Sequence, residues 1–173
     1  MRRSASTIPV LALVLFASTA AWSEGPADAA ARTCIGARVH YEAGPDRDLR
    51  RLPWVSAGRR GREVVGYLFY YGEELRSGPR LRIYPGGELP GGGSTKILWV
   101  LRQPDSSTLT ILGRRLDGAG AFRQEERSAR GPSGLVFPSI VDVPGTGCWL
   151  LTVRNGRRSA RFAVEAIQAD RTD

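Results

Sequence analysis

The stretch Cys148-Trp149-Leu150-Leu151-Thr152-Val153-Arg154-Asn155-Gly156-Arg157-Arg158-Ser159-Ala160-Arg161-Phe162-Ala163-Val164-Glu165-Ala166-Ile167 decides the fold class. Successive side chains of a strand point to opposite faces. Trp149, Leu151 and Val153 therefore share one face of an outgoing strand, and Phe162, Val164 and Ala166 share one face of a returning strand. Between them Asn155-Gly156 is the strongest hairpin signal in the chain, expected to take positive φ at both turn positions. Pairing across the turn then brings the apolar faces together at cross-strand distance.

Upstream the same grammar repeats in shorter runs. Glu63–Tyr71 is apolar on both faces, which predicts a strand that is central or covered on both sides. Lys96–Leu101 reads as another buried strand, Thr108–Leu112 as β by composition, and Phe122–Arg127 as a polar edge strand. Arg80–Tyr84 alternates apolar and basic residues as a half-exposed strand does. Ile35–Tyr41 is expected to form a first strand, and the polar run Glu42–Pro53 a loop. Pro138 between Leu135-Val136-Phe137 and Ile140-Val141-Asp142-Val143 predicts an edge or a bulge. No long segment carries a helical period. Short strands punctuated by Gly, Pro, Asn, Asp and Ser predict an all-β sandwich or barrel.

The N-terminus predicts the compartment. Arg2 and Arg3 precede the apolar run Ile8–Ala17 and the small residues Ser18–Ala21, the order of a secretory signal peptide. The apolar run is shorter than the about 20 residues that span a bilayer. Residues 1–21 are expected to be cleaved; a cut after Ser23 and retention as an uncleaved anchor are the alternatives. Residues 22–33 read as a disordered mature tail, residues 34–168 as one domain, and residues 169–173 as a C-terminal tail. The expected localisation is periplasmic or extracellular, with no transmembrane segment after cleavage. Cys34 and Cys148, the two cysteines of a chain bound for an oxidising compartment, are expected to form a disulfide; two separate thiols are the alternative.

The chain has 25 Lys+Arg against 17 Asp+Glu, a net charge of +8; removing Arg2 and Arg3 leaves 23 against 17, or +6. Lys96 is the only lysine, so the charge is nearly all arginine. A composition rich in Arg, Ala, Gly and Pro fits a GC-rich genome, the bland account. The sharper account is an anionic partner, because the guanidinium fork matches phosphate and carboxylate oxygens. Arg59, Arg60, Arg62, Arg114 and Arg115 are the candidate anion-binding clusters. An anionic envelope polymer or another exported protein is the expected partner class, and nucleic acid is disfavoured by export.

Pro138-Ser139-Ile140-Val141-Asp142-Val143-Pro144 followed by Gly147-Cys148-Trp149-Leu150-Leu151-Thr152-Val153 resembles the closing strands of bacterial exported immunoglobulin-like domains, with their Gly-x-Trp/Tyr-x-Leu-x-Val strand. Lys96-Ile97-Leu98-Trp99, with Gly113-Arg114-Arg115-Leu116-Asp117-Gly118 downstream, is similar to a group of uncharacterised bacterial secreted proteins carrying such a domain. The resemblance covers roughly residues 63–167. It implies an immunoglobulin-like antiparallel β-sandwich and carries no activity. One departure stands out: in antibody domains the disulfide joins two facing strands, whereas Cys34 lies at the start of the domain.

No pattern of reactive residues stands out. His40 is the only histidine, there is no Gly-x-Ser-x-Gly elbow, and two cysteines cannot close a structural zinc site. The glycines before Lys96 lack the order of a phosphate loop. Glu73-Glu74 and Glu125-Glu126 are adjacent pairs whose members point apart in a strand. No catalytic residue, metal or cofactor is therefore expected. Tyr67, Phe69 and Tyr71 share one face of a regular strand, and as an exposed row would stack on sugar rings; filling the core is the competing account. The expected function is a non-catalytic exported binding or scaffolding domain. A carbohydrate-binding module is the alternative, and a hydrolase using paired carboxylates ranks last.

Overall fold

The computed structural model describes residues 34–58, 64–87, 95–131 and 134–169. The expected signal peptide and mature tail (1–33), Arg59, Arg60 and Arg62, most of the glycine-rich stretch before Lys96, and residues 170–173 lie outside the described residues. Among the described residues ten strands run in chain order: β1 Trp54–Ala57, β2 Val64–Leu68, β3 Arg82–Ile83, β4 Lys96–Leu101, β5 Thr108–Arg115, β6 Ala121–Arg127, β7 Ala129–Gly131, β8 Gly134–Ile140, β9 Gly147–Asn155 and β10 Arg158–Ala166. They form two five-stranded sheets of order β1-β2-β4-β8-β7 and β3-β10-β9-β5-β6. Every pairing is antiparallel except that of β3 with β10. The fold is a β-sandwich, one of the two all-β architectures that the strand-and-turn pattern predicted.

The two sheets enclose a core that contains Trp99 of β4, Phe137 of β8, Trp149 of β9 and Phe162 of β10. Trp99 and Phe162 meet across the sandwich with ring centroids 5.2 Å apart. The Trp99 indole N–H donates to Ser139 Oγ at 2.9 Å, and that hydroxyl donates to the Ile97 carbonyl, so the buried polar atoms are satisfied. Gly66 sits opposite Trp99 in the β2–β4 register. A Cβ there would lie 2.7 Å from the indole, so the ring itself demands glycine in an otherwise apolar strand.

A smaller apolar layer covers the outer face of the first sheet. Trp54, Val65, Tyr67, Val100 and Val136 pack there under Leu49 and Leu52 of the loop that precedes β1. That loop contains a single 3-10 turn, Arg47–Leu49. This explains why β2 is apolar on both faces: it lies between β1 and β4 and is capped on the outside.

Two expectations are corrected. First, Ile35–Tyr41 is not a strand. Its backbone divides between partners: Ala37 N–H donates to the Ala163 carbonyl of β10, Val39 N–H to Pro79, and His40 and Trp54 exchange both bonds. The segment crosses from one sheet to the other as a strap, so no single neighbour pairs with it long enough to make a ladder. Second, Asn155 is not a turn residue. Arg158 pairs with Asn155, which leaves Gly156-Arg157 as the two-residue loop. Only Gly156 has positive φ, at 58°, the placement of a type II′ turn. The edge reading of Pro138 holds, with the strand β8 continuous through it. β7 pairs with β8 only as far as Val136, so Pro138 lies on a stretch with one neighbour, where a missing N–H is tolerated.

Candidate functional site

The aromatic trio does not form a surface row. Tyr67 is fully buried in the outer layer, and its hydroxyl donates to Asp46 Oδ2 at 2.7 Å while accepting from Asp46 N–H. Tyr71 lies past the end of β2 and is buried in the inter-sheet core, with its hydroxyl accepting from Arg82 N–H at 3.1 Å. Phe69 is half-buried beside the outer layer. The strand ends at Leu68, and Tyr70 takes φ of 53°, so the alternation that would align residues 67, 69 and 71 is broken before it reaches Tyr71.

Burial holds both phenols above the usual tyrosine range, and the Asp46 carboxylate adds to the effect on Tyr67; Tyr71 is pushed up to about 12. An unfolded tyrosine ionises near 10. Above that pH the unfolded chain loses protons that the folded chain keeps, so the phenols' contribution to stability is constant below about pH 10 and falls above it. Urea unfolding between pH 8 and 11.5 is expected to show this loss, with a Tyr71 contribution approaching 1.4 kcal/mol per pH unit, about the value of one proton. Tyr71→Phe should flatten the slope. A stability profile level through pH 11.5 would show that neither phenol is confined.

The remaining candidates are separated. The His40 ring stacks on Trp54 with centroids 4.2 Å apart, and its Nδ1 lies 2.7 Å from Glu42 Oε1. Glu125 pairs with Arg123, Glu126 accepts from Gln124, and Glu74 accepts from the Tyr84 hydroxyl. Cys34 and Cys148 form the expected disulfide. Among the described residues no group of three or more His, Cys, Asp or Glu is placed to hold a metal ion. Arg114 and Arg115 do not act together: Arg115 is half-buried and pairs with Asp117 at 2.8 Å, whereas Arg114 points outward and is exposed. The Arg115 pair and the Cys148 N–H, which donates to Asp117 Oδ2, hold the Asp117 carboxyl below its usual range. That small cluster fixes the β5–β6 turn against the disulfide.

The register assembles a site that the sequence did not announce. On the outer face of the second sheet, Arg161, Thr152, Leu112 and Arg123 form one row across β10, β9, β5 and β6. The row beside it is Ser159, Arg154, Thr110 and Glu125, and the row on the other side is Ala163, Leu150, Arg114 and Ala121. Arg127 extends the face opposite Thr108. Strands lie about 4.8 Å apart and like-facing residues about 7 Å apart along a strand, so these arginines share one continuous surface. Arg114, Arg123, Arg127, Arg154 and Arg161 are all exposed. Arg123 is neutralised by Glu125. Arg114, Arg127, Arg154 and Arg161 make no ion pair among the described residues. Between them the floor is low: Thr110, Thr152, Leu112 and Leu150 are half-buried.

In comparison with known proteins, no family model matches this chain, and no curated protein or solved structure is significantly similar to it.

Proposed function

We propose that the protein is an exported, non-catalytic binding domain of the cell envelope or exterior, built on an immunoglobulin-like sandwich, and that it recognises anionic partners through the outer face of its second sheet. The observation that carries this reading is the set of four exposed arginines on one sheet face that make no ion pair among the described residues. Export is supported by the signal-peptide pattern of residues 1–21 and by a disulfide of the kind that persists in oxidising compartments. The strand order supports the immunoglobulin-like assignment. With β2, β4, β5, β6, β7, β8, β9 and β10 taken as A, B, C, C′, D, E, F and G, the sheets contain A-B-E-D and G-F-C-C′. In that frame β1 and β3 are additions at the edges of the first and the second sheet. The disulfide then ties strand F to the N-terminal strap, in place of the B–F bridge of antibody domains.

Exposed charges on a sheet act mainly through attraction that salt screens. The mature chain is therefore expected to co-sediment with envelope fractions at low salt and to be released as salt rises. A variant carrying Arg114→Glu, Arg154→Glu and Arg161→Glu should stay in the supernatant throughout. Pelleting that ignores salt and survives these changes would remove the basic face from the function.

A further inference from the structure

We infer that the ligand of this face is an acidic polysaccharide, a chain of sugars bearing carboxylates. The inference rests on the anion-binding reading above and specifies its chemistry. Three features of the face point to a glycan chain over a lipid surface.

The first is the floor. Leu112 and Leu150 are diagonal neighbours on β5 and β9, and Thr110 and Thr152 form the parallel diagonal beside them. Such a surface offers apolar contact and hydroxyl hydrogen bonds side by side. A sugar ring has the same mixture, C–H groups on its faces and hydroxyls around its rim. The second is the placement of charge. Arg154 and Arg161 stand on the β9–β10 side of the floor and Arg114 on the β5 side. Long cationic side chains thus flank a low strip, so a chain lying on the strip meets guanidinium groups from both sides, and each matches a carboxylate as a two-pronged donor. The third is what the face omits. Amphipathic helices that lie on membranes bury Trp, Phe or Leu at the headgroup boundary, an anchor that adds to charge attraction. On this face the outward positions of β5, β6, β9 and β10 hold no aromatic residue, and both leucines sit lower than the arginines. Phe122 of β6 turns inward, against Trp149.

The test titrates the mature protein with polygalacturonate, and separately with vesicles containing phosphatidylglycerol, by calorimetry. Polygalacturonate is expected to bind and the vesicles to bind far less. Arg154→Gln with Arg161→Gln should weaken binding roughly tenfold, at the exposed-pair scale of several tenths of a kcal/mol for each charge. Leu112→Asn should weaken it too while leaving the salt dependence unchanged, a result that attraction between charges alone would not give. Thermal unfolding of each variant checks that the fold persists. Tight vesicle binding without polygalacturonate binding overturns the polysaccharide inference and leaves the anionic reading standing. Binding to neither, or binding to polygalacturonate that the arginine changes do not touch, overturns both.

Discussion

Replacing Cys34 and Cys148 together by Ser lowers the unfolding free energy by about 4 kcal/mol and exposes the strap before the rest of the sandwich opens. The bond spans 114 residues of sequence. In the chain-entropy account, closing a loop of about 100 residues in the unfolded state stabilises the fold by roughly 4.7 kcal/mol, and measured losses fall between about 2 and 5 kcal/mol. The structure adds a local consequence. From Cys34 the chain enters the strap, whose N–H groups at Ala37, Val39 and His40 bond to three different carbonyls. No ladder holds the strap, so its anchor at β9 does. Arg80 Nη1 donating to the Cys34 carbonyl at 3.0 Å is the nearest support that remains. Hydrogen exchange at Ala37, Val39 and His40 is therefore expected to accelerate far more than exchange at β9 and β10 amides when the bond is removed. Uniform acceleration would mean that the disulfide acts on global stability alone. An unchanged denaturant midpoint would mean that the chain holds the strap without it.

The same strap marks where local sequence stops specifying structure. Strands whose apolar faces meet the opposite sheet are readable, because burial forces alternation: β9, β10 and β4 lie where their patterns put them. β2 was readable as covered on both sides, although not what covers it, since Leu49 and Leu52 come from a polar loop. Ile35–Tyr41 has the composition of a strand and fails to be one for a nonlocal reason: its hydrogen-bond partners belong to different sheets. A single sequence does not encode that division.

The candidate face was half legible for a related reason. Arg114 was singled out by its neighbour Arg115, yet adjacent residues of a strand point to opposite faces, and the pair dissolves in the structure. The true neighbours of Arg114 lie across the β5–β9 and β5–β6 registers, and Arg161 is a further strand away. Applied to the hairpin alone, the period-2 rule would have put Arg154 and Arg161 on its solvent face. Combining that face with β5 required knowing that β5 pairs with β9, some 40 residues away, and no local signal carries that information. The aromatic trio failed in the opposite direction. Alternation stops at the end of β2, where Tyr70 leaves the extended region, and Tyr71 lies beyond that point.

Asn155→Ala is expected to cost about 3 kcal/mol and to lower the melting temperature by roughly 10 °C for a domain of this size. Asn155 is buried, with 1 % of its surface exposed. Its Oδ1 accepts from Asp105 N–H at 2.6 Å and Ser106 N–H at 3.1 Å, and its Nδ2 donates to the Ser106 and Thr108 carbonyls, both at 2.8 Å. A carboxamide has two donor hydrogens and two acceptor lone pairs, so every one is used to clamp the β4–β5 loop. Truncation leaves four backbone groups short of a partner, at about 1–3 kcal/mol for each that water fails to reach. Asn-Gly therefore serves two purposes in this hairpin. Gly156 makes the turn, where a Cβ would lie 2.7 Å from that of Asp105, and Asn155 fixes the loop packed against it. Asn155→Asp separates hydrogen bonding from shape. Its carboxylate would face two carbonyl oxygens, so the variant should be less stable than Asn155→Ala at neutral pH. Burial and those carbonyls raise the folded pKa of the new Asp above its unfolded value near 3.9. Its deficit should therefore shrink below that pH, where the carboxyl is neutral and donates one bond, and grow as pH rises through the folded pKa. Equal stability of the Asp and Ala variants from pH 3 to 7 would mean that the clamp is loose enough to admit water and that the four bonds contribute little.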